Sequence, residues 1–102
     1  MGAWGVEPFE NDTAAEFADK LRAVTFTGLR SRDPLVVRAA AEAMLLLDAA
    51  GLHVGKDFFQ DAKYRLQEMI EDERFVSSWN EPRAILASLR RQLKRVAARG
   101  YR

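Results

Sequence analysis

The chain has no cysteine, a single histidine and only three prolines. Without thiols it can form no disulfide and offers no cysteine nucleophile, and a structural zinc would lack the Cys and His ligands it needs. A serine nucleophile would depend wholly on His53, which sits between Gly51 and Gly55 with no partner motif, so no residue is assigned a catalytic role. No alternation of apolar and polar residues runs long enough to mark a strand. Gly2 and Gly5 follow no strand, so they lack the context of a nucleotide fingerprint. Met1 to Phe9 shows no basic start followed by an apolar run, and Val6 stands where a myristoylation pattern wants Ser or Thr. With cysteine absent as well, the expected location is cytoplasmic.

What is present suits one domain. The 102 residues are 48% apolar and 30% charged. A chain of this size buries about 65% of its unfolded surface, enough for one core but hardly for a deep cofactor cleft, so no cofactor is expected. The single domain spans 1–102, with 1–11 as an anchoring segment and 83–102 as a basic terminal helix and tail. The net charge of +1 hides a gradient of −4 over residues 1–20, −2 over 21–82 and +7 over 83–102. In a compact bundle the acidic first segment can lie beside the basic last one and neutralise it, which is the expected arrangement.

Periodicity predicts an all-α fold, a compact single-domain bundle of about four helices with the second most buried. The first helix begins between Asn11 and Thr13, where Thr13 and Glu16 make a capping box, and carries Ala14, Phe17, Ala18 and Leu21 on one face. It is expected to fade near Val24, leaving 25–32 as a connection. Asp33 and Pro34 form a cap and first-turn pair that opens a second helix, closed by Gly51. That helix is apolar most of the way round, which reads as buried. A membrane span is excluded, since Arg38, Glu42 and Asp48 interrupt a run already shorter than the roughly 20 residues required. Asp57 and Gln60 suggest a capping box for a third helix, striped by Phe59, Ala62, Leu66, Met69 and Ile70. Phe75, Val76 and Trp79 either prolong it or form a separate turn. A fourth helix runs from Pro82 to Gly100, with Ile85, Leu86, Leu89, Leu93, Val96 and Ala97 on one arc and Arg83, Arg90, Arg91, Lys94 and Arg95 on the other.

Glu68, Glu71 and Asp72 share a helix face, but such carboxylates are mostly solvated or paired, and no Glu-x-x-His accompanies them, so no metal is expected. The basic helix is the best generic binding surface. Arg90, Arg91, Lys94 and Arg95 could contact phosphates, although only Gln92 and Ser88 are at hand to read bases.

The opening carries the most specific pattern. Gly2, Trp4, Gly5, Phe9, Glu10, Asn11 and Asp12 spell Gly-x-Trp-Gly, three residues, Phe-Glu-Asn-Asp. It resembles the start of a bacterial family of small domains of unknown function, whose members follow it with an Ala-rich helix, an acidic stretch, a Trp and a Leu-rich helix. Glu7-Pro8 departs from the Gly-Pro often found there. The resemblance implies a bacterial origin but no activity or cofactor. In structural terms Trp4 and Phe9 would anchor the segment on the bundle while Asn11 or Asp12 caps the first helix. In functional terms Trp4, Glu10, Asn11 and Asp12 would form an exposed recognition edge.

These readings converge on a non-enzymatic protein-binding module of a bacterial cytoplasm, in its sharper form an immunity-type protein that masks another protein. The alternatives are a nucleic-acid-binding accessory protein using the basic helix, and a small enzyme with an Arg/Glu-lined pocket. A homo-oligomer would use apolar surface around Leu45, Phe58 or Phe75.

Overall fold

The computed structural model describes residues 12–52 and 54–100, with side chains for 16–52 and 54–99. His53 and the segment carrying Trp4, Glu10 and Asn11 lie outside the described residues, as does the side chain of Asp12. Within them are five helices and no strand: α1 (Asp12–Leu29), α2 (Pro34–Ala49), α3 (Lys56–Glu71), α4 (Glu73–Ser77) and α5 (Pro82–Gly100). α1 packs on α2 and α3 packs on α5, while α2 against α3 joins the two pairs.

α1 runs through the stretch expected to be a connection. Thr25 and Thr27 donate their hydroxyls to the Leu21 and Ala23 carbonyls four residues back, at 2.8 and 2.9 Å, which satisfies both inside the helix. Ala18, Thr25 and Leu29 form the buried line of α1, whereas Phe17, expected on that face, is exposed. Gly28 has a packing role, since a Cβ there would lie 2.9 Å from the Ala40 Cβ.

Asp33 caps α2 by accepting from the Leu35 amide at 2.9 Å. The far end is a Schellman closure: Gly51 takes φ +99°, the Leu52 amide donates to the Leu47 carbonyl at 2.9 Å, and the Gly51 amide donates to Asp48 at 3.1 Å. Leu52 is buried by the turn. Val37, Ala40, Ala41, Met44 and Leu45 face the core, but Leu35, Val36 and Leu46 face outward. α2 is therefore apolar nearly all round yet buried on one face only.

The stripes expected for α3 and α5 are those observed, with Phe59, Ala62, Leu66 and Met69 meeting Ile85, Leu89 and Val96 in one core. α3 starts after Gly55 with no side-chain cap, so Asp57 occupies the first turn rather than a capping box. There its negative charge suits the helix N-terminus. Asp72 separates α3 from the short α4, which it caps by accepting from the Arg74 and Phe75 amides at 3.1 and 3.2 Å. This interruption yields five helices instead of four, and α4 places Val76 in the core. Leu45 is buried, and Phe58 and Phe75 pack against the core, so they are not the surplus apolar surface expected of them.

Candidate functional site

α2 and α5 lie parallel, and the polar side chains that interrupt their apolar stripes meet along the seam. The Arg38 Nε donates to Gln92 Oε1 at 3.0 Å and its Nη2 donates to Ser88 Oγ at 2.7 Å. The Gln92 amide donates back to the Arg38 carbonyl at 2.9 Å and to Glu42 at 3.4 Å. Glu42 accepts a bidentate pair from Arg95 at 3.0 and 2.9 Å, and Arg99 pairs with Asp48 one turn on. Burial lowers the Arg38 guanidinium from its ordinary value, Glu42 opposes that shift and Arg91 adds to it. A guanidinium stays charged throughout the working pH range, so Arg38 is a fixed cation and cannot serve as a proton donor or base.

At one end the seam opens into a shallow cleft of about 540 Å³ lined by Arg38, Trp79, Asn80, Glu81 and Ser88. Two of the three guanidinium nitrogens of Arg38 are already bonded to α5. Trp79 leans edge-on against Phe75 with centroids 6.0 Å apart. Sequence reading named Arg38 only as an interruption of an apolar run, and it raised an Arg/Glu-lined pocket without placing it; this cleft holds Arg38 and Glu81. The signal was available, because Arg38 and Glu42 on one helix and Ser88, Gln92, Arg95 and Arg99 on the other repeat at three- and four-residue spacing.

Of the four cations assigned to the basic face, Arg90, Arg91 and Lys94 are exposed on the outer arc of α5 and make no ion pair among the described residues, whereas Arg95 is tied to Glu42. Gln92 is only 5% exposed and Ser88 is engaged with Arg38, so the two side chains expected to read bases are committed to the interior seam. Asp12 opens α1, and Trp4, Glu10 and Asn11 lie outside the described residues. Among the described residues no three acids or histidines converge to hold a metal, and Asp72 is engaged in capping α4.

A second surface was not anticipated. On α1, Phe17, Leu21, Val24 and Gly28 fall on one line, and Gly28 meets Val36 and Ala40 of α2. On α2, Leu35, Ala39 and Leu46 lie beside Val36 on the outward side. Val24 is 72% exposed and Leu46 63%, so the outer face of the α1–α2 pair is apolar and open.

Fold and surfaces together define a small all-α domain with a polar interhelical seam, a cationic outer arc and an open apolar face. The chain belongs to the family of the domain of unknown function DUF4259, whose model matches residues 2–99. No curated protein and no solved structure matches it. No helix among the described residues is long and apolar enough to cross a membrane.

Proposed function

We propose that this chain is a non-enzymatic protein-binding module of a bacterial cytoplasm, and that it masks an acidic surface of another protein in the manner of an immunity protein. The observation that carries this reading is the cluster formed by Arg90, Arg91 and Lys94: three neighbouring exposed cations without ion-pair partners among the described residues, on one arc of a helix that Arg95 and Arg99 lock to α2. A rigid cationic row speeds and orients encounter with an acidic protein. With Ser88 and Gln92 engaged elsewhere, the same row holds phosphates without means to read bases, which favours a protein over a nucleic acid. The compartment rests on the lack of cysteine.

The test is capture from an extract of the source bacterium by the immobilised chain, beside a variant carrying Arg90→Glu, Arg91→Glu and Lys94→Glu. A defined protein should be retained by the wild type, lost with the variant and released as salt rises, because charge pairs are screened within about 3 Å at 1 M. Exchanging Glu10, Asp12 and Glu16 for lysine should leave that capture unchanged. Retention of the same protein by the charge-reversed variant, or loss of all retained material on nuclease treatment, would overturn the proposal.

A further inference from the structure

We propose that the cleft at the end of the α2–α5 seam holds the last residue of a peptide chain, with its free carboxylate on Arg38 and its apolar side chain against Trp79.

Charge gives the first reason. Arg38 is half-buried, and its bonds from Nε to Gln92 and from Nη2 to Ser88 fix the plane of the guanidinium. Nη1 makes no hydrogen bond among the described residues, so it and the second Nη2 proton remain to donate. A guanidinium already held in place gives up little freedom when an anion arrives, and a carboxylate matches its fork. Arg91 stands near enough for its field to act on Arg38, while the neighbouring acid Glu42 is occupied by Arg95.

The rest of the lining selects what the anion carries. Trp79 is 37% exposed and braced edge-on by Phe75, and Ala84 and Ile85 extend the apolar surface along α5. Apolar area beside an open cation favours a carboxylate joined to an apolar group over a bare ion. Glu81 also lines the cleft, and its carboxylate makes no ion pair among the described residues. It repels a second negative charge, which disfavours phosphate and an acidic last residue alike.

Shape decides between a free small molecule and a chain end. Sites of roughly 300–1,000 Å³ that take free ligands enclose about 70–90% of the ligand surface. This cleft, of about 540 Å³, is shallow and leaves one side in water, as a residue still attached to a chain requires. Asn80, whose side chain makes no hydrogen bond among the described residues, offers both a donor and an acceptor to the last peptide group. Capture of a terminal carboxylate is a recurrent mode of peptide recognition.

The test is titration of the full chain with acetyl-Ala-Ala-Leu, followed by the amide signals of Asn80, Ala84 and Ser88 and the indole N–H of Trp79. Saturable shifts with a Kd of roughly 0.1–1 mM are expected for a ligand of this size. The same peptide with its C-terminus amidated should bind about ten-fold more weakly or worse, because it loses hydrogen bonds to a charged partner. Trp79→Ala should weaken binding several-fold, and Arg38→Gln should abolish it. If Arg38→Gln fails to fold, the amidated peptide asks the same question of the native chain. Glu81→Gln should improve binding of acetyl-Ala-Ala-Asp while changing that of the leucine peptide little. Equal shifts with the amidated peptide, no shift at about ten times the upper expected Kd, or equal affinity for 4-methylpentanoate, which lacks the peptide group, would each overturn the proposal. Arg90→Glu/Lys94→Glu should leave the titration almost unchanged, so this site and the cationic row stand or fall separately.

Discussion

At the scale of single residues, two glycines are held for different physical reasons, and substitution separates them. Gly51 sits at φ +99° with nothing within 4 Å of the place a Cβ would take, so Gly51→Ala meets only the backbone penalty of the left-handed region. The expected loss is about 1 kcal/mol, read as a Tm fall of roughly 4–8 °C, with Gly51→Asn losing less because asparagine tolerates that region. Gly28 has ordinary helical geometry, and alanine there would gain about 1 kcal/mol of helix propensity. Its Cβ would, however, come within 2.9 Å of the Ala40 Cβ, an atom with no rotamer to yield. Overpacking of that kind costs about 1–3 kcal/mol, so Gly28→Ala should be net destabilising and Gly28→Val clearly worse. A rise in Tm for Gly28→Ala would mean that α1 and α2 do not approach so closely.

At the scale of elements, the α2–α5 seam contains two kinds of polar contact whose contributions should differ. The Arg95–Glu42 pair has side chains 55% and 38% exposed, and pairs so open to solvent are worth about 0.5–1 kcal/mol. Gln92 is buried, and Gln92→Leu would take the acceptor from the Arg38 Nε, a loss of about 1–3 kcal/mol. Urea unfolding should therefore rank Gln92→Leu as more damaging than Glu42→Ala; the reverse order would make the surface pair the principal link. The same elements show what the sequence could disclose. The stripes of α3 and α5 were legible because each is a clean 3.6-residue pattern with one wet side. The end of α1 was not, since Thr25 and Thr27 weaken helix propensity while their bonds to Leu21 and Ala23 exist only once the helix has formed. On α2, apolar character all round identified the helix but could not say which arc is open, because that depends on where α1, α3 and α5 lie. Of the surfaces, the α5 cations were visible as a cluster, whereas the withdrawal of Arg95, Ser88 and Gln92 into the seam required the register of α5 on α2.

At the scale of the whole molecule, the question is whether the α1–α2 and α3–α5 pairs form one cooperative unit. The buried cluster argues that they do: Leu29 of α1, Met44 of α2, Leu66 of α3, Val76 of α4 and Leu89 of α5 belong to a single contiguous core. Met44 and Leu89 are both fully buried, one in each pair. Truncation of either to alanine removes transfer free energy and leaves a cavity, together about 2–5 kcal/mol. If the core is shared, Met44→Ala and Leu89→Ala should each lower one sharp thermal transition, with the same midpoint by near-ultraviolet and far-ultraviolet dichroism. If the pairs were separable, each substitution would weaken only its own half and the transition would split or broaden. The polar seam adds to this only modestly, because parting Arg38 from Gln92 exchanges their direct hydrogen bonds for bonds to water, while the shared apolar core supplies the larger loss. The α1–α2 pair therefore cannot peel away from the rest of the core at low cost, and the cationic arc of α5 sits on one rigid body.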